Sequence, residues 1–318
     1  MSRDRPTVAR AAAALREAAR ALEANAADQE RASAVEGATG SAVAGTGYDS
    51  DLAELEAQHE LKGGIRGVET TVTMLSTLSE HGGDDIGIIT FVNADGTRSH
   101  IVMIPGTQDL ENSQSDTVFN SGSWLPAGQG EQTELEHRVL EAMREHGIES
   151  GEPVQMAGYS LGGLVSANIA AHNAGEFSIT SVVTVGSYSP LELPDGVSQL
   201  QVIDSGDPMA TVGTVVGLQQ ATNRADVVLH VDNPGFNADF GYAITQSPTE
   251  MLSEAGIQKL LDGAQAQATH QHQLDSYVGN MLGAAREGTL DGWNASTGEF
   301  ASGEGVTTEM YRYKIRDF

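Results

Sequence analysis

No cysteine occurs in the 318 residues. Disulfides, zinc-thiolate centres and thiol nucleophiles are thereby excluded, and the redox compartment is left open. Basic residues are scarce: 17 Lys and Arg stand against 44 Asp and Glu, a formal net charge of -27. Nucleic acid or an anionic membrane would need a basic face, so this balance argues against both as partners. The acidity is read as a solubility feature that a saline or calcium-containing habitat would suit. No run of about eighteen apolar residues occurs, which removes a transmembrane helix. The N-terminus, MSRDRPTVARAAAALREAARALEANAADQE, is basic and then alanine-rich, but Arg16, Glu17 and Arg20 break the apolar run. That argues against a secretory signal peptide. The expectation is a cytoplasmic protein, or one exported without a conventional signal peptide.

The length suits one large domain with an appendage, or two modest domains. Residues 7–33 place Val8, Leu15, Ala19 and Leu22 on one side of a helix. From Ala34 to Gly47 the composition shifts to Gly, Ala, Ser and Thr, as in a linker. Helical spacing resumes over Asp51 to Leu61 and Ile65 to Leu78, most clearly at Ile65, Val68, Val72 and Leu75. Residues 1–82 are therefore expected to form a helical N-terminal region. Its helices either pack on the domain that follows or present a surface to a protein partner.

A different regime begins at Asp85. Ile86 to Val92 and His100 to Ile104 are β-rich runs, and the Asp95-Gly96 pair between them is a hairpin signal. The long polar stretch from Leu110 to Glu131 is a candidate lid or substrate wall. Thr133 to Ile148 is helical in spacing, with Leu135, Val139, Leu140 and Met143 on one face. Short apolar strands follow at Pro153 to Ala157, Ile179 to Val185, Leu200 to Ile203 and Ala225 to Val231. Helical patterns lie at Leu161 to Ala171, Met251 to Leu261 and Leu274 to Leu282. This alternation predicts an α/β fold, a mainly parallel sheet flanked by helices with an antiparallel hairpin at its start. The tail from Trp293 to Phe318 carries no readable pattern.

Between a strand and a helix lies Gly158-Tyr159-Ser160-Leu161-Gly162, a G-x-S-x-G. In that context the chain must reverse sharply. The serine is forced into a strained conformation at the tip of the turn, and the flanking glycines remove side chains that would clash. A serine hydroxyl is a weak nucleophile near neutral pH, so Ser160 needs a base, and the base needs an acid to orient it. In this architecture the chain order is Ser, acid, His, which sets aside His59, His81, His100, His137 and His146, while His172 falls about three turns along the helix after Ser160 and points elsewhere. His230 falls inside a strand and reads as a sheet histidine. His272 is the favoured base and His270 the alternate. Asp207, stiffened by Pro208, is the favoured acid, with Asp204 the alternate. The backbone N–H of Leu161 supplies one oxyanion donor, and Thr107, in Pro105-Gly106-Thr107-Gln108, supplies the other.

With these residues placed, the chain resembles the α/β-hydrolase superfamily and, within it, the class 3 (fungal-type) lipases. GYSLGG matches that family's elbow, VVTVGSYSP is similar to its following strand, IPGTQ to its oxyanion segment and SGDPM to its acid loop. The likeness extends to uncharacterised bacterial hydrolases with a P-G-T-Q segment and covers roughly residues 85–285. It implies Ser160 as nucleophile, Asp207 as acid and Thr107 as oxyanion donor; with 1–82 set apart as the helical region, 83–318 is expected to be the catalytic domain. Two departures stand out: Pro105 replaces the arginine usual in that family, and the segment between Asp207 and His272 is long.

The expected function is hydrolysis of a small-molecule or lipid carboxylic ester through an acyl-enzyme, without a cofactor. An acyltransferase or an amidase could use the same triad. A non-catalytic, export-associated binding protein working through residues 1–82 is the rival of another class. Asp232, Asn233, Asn237 and Asp239 lack the spacing of a calcium loop, and neither a phosphate-binding glycine fingerprint nor a helical histidine pair for a metal occurs.

Overall fold

The computed structural model describes residues 67–80, 84–93, 95–108, 116–173, 175–204, 225–231, 274–296 and 307–315. Their framework is a seven-stranded sheet. Its strands are β1 (Asp85–Val92), β2 (Arg98–Ile104), β3 (Pro153–Tyr159), β4 (Ser178–Val185), β5 (Ser198–Asp204), β6 (Val227–Val231) and β7 (Thr307–Lys314). In space they run β6-β5-β4-β3-β2-β1-β7. The strands from β2 to β6 are parallel, whereas β1 is antiparallel to both of its neighbours. The expected α/β architecture with an antiparallel hairpin at its start is thus present. Its turn is closed by Asn93 and Thr97, with the Asp95 carboxylate accepting from the Thr97 N–H and hydroxyl.

Helices cover both faces, which is why the central strands are buried on both sides instead of alternating. On one face lie α1 (Val68–Glu80) and α5 (Leu274–Arg286), with the short α6 (Asp291–Ser296). Val72, Leu75, Tyr277 and Met281 bury themselves there against Ile101, Met103, Ala157, Val183 and Val202. On the other face lie α2 (Trp124–Gly128), α3 (Glu134–His146) and α4 (Leu161–His172). Leu135, Val139, Met143, Leu164 and Val165 pack there on Val102, Ile104, Val154, Met156 and Val182. Each such side chain contributes about 1.5–3 kcal/mol of gross burial energy, so neither helical layer is dispensable.

α1 lies inside the segment expected as a helical N-terminal region, 1–82, and its Val68, Val72, Met74, Leu75 and Leu78 belong to the core of the sheet. Residues 1–66, with the helices expected over 7–33 and 51–61, lie outside the described residues. So does the helical pattern at 251–261. Two stretches, the polar segment and the tail, hold elements that were not anticipated. Part of the polar stretch is ordered as a 3₁₀ turn, Ser121–Ser123, followed by α2, with Val118, Phe119 and Ala127 buried in the core. The tail supplies β7, which pairs along the whole of β1, from Val92 opposite Thr307 to Asp85 opposite Lys314.

Candidate active site

β3 ends at Tyr159 and α4 begins at Leu161, so the reversal falls on Ser160. Its backbone angles are φ 53 and ψ -120. Among the described residues no other non-glycine has positive φ. Such a conformation costs about 1–3 kcal/mol and persists only where its surroundings over-determine it. Here the Ser160 N–H donates to the carbonyl of Val185 at 2.9 Å, and its carbonyl accepts from Gly163 at 3.0 Å and Leu164 at 3.3 Å. The flanking glycines are needed for close approach. A Cβ on Gly158 would overlap the Gly162 backbone, and one on Gly162 would overlap the carbonyls of Ile104 and Pro105.

β2 and β3 are parallel with Ile104 opposite Gly158, so the segment leaving β2 passes beside the turn. A Cβ on Gly106 would stand 2.8 Å from the Tyr159 ring and 3.1 Å from the Ser160 Cβ. The backbone that carries Thr107 is therefore adjacent to Ser160. Among the described residues neither the N–H of Leu161 nor that of Thr107 has a hydrogen-bond acceptor. Leu161 also stands at the first position of α4, where the helix dipole presents its positive end. An anion formed beside Ser160 would meet donors with no competing partner among the described residues.

Of the acid and base candidates, Asp207, His270 and His272 lie outside the described residues, and so does the side chain of His230. Asp204 ends β5, two strands from β3 and on the same carboxyl edge of the sheet as Ser160. It is buried, and its backbone N–H donates to the Tyr277 hydroxyl at 3.3 Å. That bond ties the first turns of α5 to the carboxyl edge. The loop after β4 is also held at this edge: Gln201 donates to the Ser187 carbonyl at 2.9 Å, and Ser187 lies against Gly163. The neighbouring Tyr188 donates to the carbonyl of Gly128, and burial pushes its phenol up to about 12.

The histidines set aside as bases serve elsewhere, where they are described. His137 is exposed on α3, and His172 meets the buried Glu136 at 2.8 Å. His100 and His146 sit at the amino edge of the sheet in a polar chain that the sequence did not suggest. Arg98 donates to Glu152 at 2.6 and 3.0 Å, and Glu152 meets His100 Nε2 at 3.0 Å. His100 Nδ1 meets the Thr90 hydroxyl at 3.0 Å, that hydroxyl meets His146 Nε2 at 2.7 Å, and His146 Nδ1 meets the Tyr313 hydroxyl at 2.6 Å. Burial pulls the His100 imidazole below its ordinary range. Burial pushes the Glu152 carboxyl the other way, but its bonds from Arg98, the Glu149 N–H and His100 outweigh that and leave it low. Among the described residues no cluster of His, Asp and Glu is arranged to hold a metal. No described helix is long and apolar enough to cross a membrane.

No protein-family model matches the chain, and no curated protein matches it. Among solved structures, a hydrolase from Pectobacterium atrosepticum described as YdeN-like is similar over 62% of this chain and 98% of that one, at 17% identity and a TM-score of 0.26. At that score the likeness adds no weight to the geometry of the elbow.

Proposed function

We propose that this protein is a serine hydrolase that cleaves carboxylic esters through an acyl-enzyme on Ser160. The observation that carries the reading is the strained Ser160 at a strand-to-helix turn, flanked by the N–H groups of Leu161 and Thr107, which have no acceptor among the described residues. In the reaction Ser160 Oγ attacks the ester carbonyl while His272 takes its proton. The two N–H groups stabilise the oxyanion of the tetrahedral intermediate. Collapse expels the alcohol, which takes the proton from His272, and water then repeats the sequence to release the acid. Asp207 holds the imidazole in the tautomer that can accept from serine.

Chain connectivity supports the placement of the base and acid. Leu274 is buried and Tyr277 is bonded to the backbone of Asp204, so α5 starts at the carboxyl edge. In the chain Asp207 follows Asp204 by three residues and His272 precedes Leu274 by two. The wall beside the site also bears on the substrate. Val118, Phe119 and Ala127 are committed to the core instead of being offered to an oil phase. That favours dissolved esters of short acids over lipid aggregates.

A fluorophosphonate probe is expected to label the wild type and not Ser160→Ala. A series of p-nitrophenyl esters is expected to give its highest kcat/KM at short chain length. Activity should fall by about 10⁴-fold or more in Ser160→Ala and His272→Ala, with Asp207→Ala worse than Asp204→Ala. An unlabelled wild type would overturn the reading, and a larger loss in His270→Ala than in His272→Ala would reassign the base.

A further inference from the structure

We propose that Gln108 is a positioning residue: it locks the peptide that carries the Thr107 N–H, and so sets the direction of the second oxyanion donor. The inference rests on the serine hydrolase reading and goes beyond it, because Gln108 touches no reacting atom in that scheme.

Thr107 lies between two peptide units, and both are pinned. The unit before it is held through its carbonyl, since Gln108 Nε2 donates to the Gly106 oxygen at 3.0 Å. The unit after it is held through its N–H, since the backbone of Gln108 donates to the Phe119 carbonyl at 2.8 Å. A trans peptide is planar, with its carbonyl and its N–H on opposite sides. Fixing the Gly106 oxygen toward the Gln108 side chain therefore fixes the Thr107 N–H on the other side. Fixing both planes leaves Thr107 little freedom in φ or ψ.

The anchor is itself rigid. Phe119 is fully buried, and its N–H donates to the Thr117 hydroxyl, which in turn donates to Asp84. Asn120 closes the same turn by donating to the Thr117 carbonyl and accepting from the N–H groups of Gly122 and Ser123. The Ser123 hydroxyl donates to the Val118 carbonyl at 2.8 Å. On the inner side Gly106 is seated against the Tyr159 ring and Ser160. The segment from 105 to 108 is thus a bracket, fixed at one end to the elbow and at the other to the turn under α2. The Gln108 amide is the part of it that can be removed without disturbing either end.

Electrostatic stabilisation of an oxyanion depends on donors oriented before the charge develops, because reorienting them during the reaction costs energy. A donor free to swing would still permit substrate binding, so the effect belongs in kcat and not in KM. The test uses the full chain with p-nitrophenyl acetate, a boronic acid as transition-state analogue, and the variants Gln108→Met and Gln108→Glu. Met keeps the length without the donor, and Glu presents a carboxylate that cannot donate and that repels the Gly106 carbonyl. In both variants kcat is expected to fall about ten- to hundredfold, below the loss from deleting a donor outright. KM should change by less than about twofold, the boronate inhibition constant should rise in parallel with the loss of kcat, and thermal melting should stay near wild type.

If the wild type is labelled at Ser160 and Gln108→Met keeps its kcat and boronate affinity, the positioning role is overturned and the hydrolase reading stands. The same holds if kcat, KM and melting all degrade together, for then Gln108 serves only the fold. A wild type that neither hydrolyses esters nor labels overturns both.

Discussion

At Ser160 a single residue holds both the strain and the proposed chemistry, and the two can be separated by substitution. Its φ of 53 is a region that glycine enters freely and other residues do not. Ser160→Ala removes the hydroxyl but retains the Cβ and therefore the strain, whereas Ser160→Gly removes both. Both variants should be inactive, and Ser160→Gly is expected to be more stable than Ser160→Ala by about 1 kcal/mol. Urea denaturation of the pair measures the difference, and equal midpoints would show that the turn is not strained. The serine was legible because its determinants lie within one pentapeptide, Gly158 to Gly162, although the overlap that excludes a side chain at Gly162 is with the distant carbonyls of Ile104 and Pro105. Gln108 was legible only as the last letter of IPGTQ. Its role depends on Phe119, whose carbonyl arrives from across a polar stretch that carries no periodicity.

Among the elements, the contact of β1, β2, β7 and α3 at the amino edge carries a consequence for pH. With Glu152 ionised, His100 must donate through Nε2, so its Nδ1 accepts the Thr90 hydroxyl proton. The Thr90 oxygen then accepts from His146 Nε2, and His146 Nδ1 accepts from Tyr313. Every proton is used once, and both imidazoles are neutral. A second proton on His100 would reverse its bond to Thr90, and the threonine O–H would then have an acceptor only if His146 changed tautomer and reversed its bond to Tyr313. Burial already holds His100 below its ordinary pKa, so the folded state binds its proton less readily than the unfolded chain does. The sign follows: the contribution is complete above about pH 6.5, the unfolded value, and is lost as pH falls below it. Glu152, also lowered, adds a loss in the same direction further into acid, as pH falls through about 4.3, the unfolded carboxylate value. Denaturation midpoints of the wild type should therefore fall between about pH 7 and pH 5, and His100→Gln, which keeps a donor for Glu152 without titrating, should flatten that fall. An unchanged pH dependence in the variant would remove His100 from the account. This network was not legible, because its groups come from separate stretches: His146 and Tyr313 alone stand 167 residues apart.

For the whole molecule the deciding question is what closes the sheet. An open edge offers unpaired backbone groups to another chain. β1 is apolar and buried along nearly its whole length, and β7 covers its outer edge while placing Met310 on the α1 face and Tyr313 and Ile315 on the other. A chain ending before Thr307 is expected to self-associate or precipitate, as measured by size-exclusion chromatography against the full chain. A monodisperse, equally stable truncation would mean that β7 is dispensable. The sequence by itself determined the parts whose causes are short in range: the strained elbow, the Asp95-Gly96 hairpin, the apolar parallel strands and the helical spacing of α3, α4 and α5. Each follows from sterics or from a pattern that repeats within a few residues. Only the tertiary structure decided that α1 completes the core of the sheet, that the tail becomes its last strand, and that Gln108 and the pair His100 and His146 occupy opposite edges of it. These depend on which surfaces must be covered once the sheet exists, a condition that no stretch of sequence contains alone.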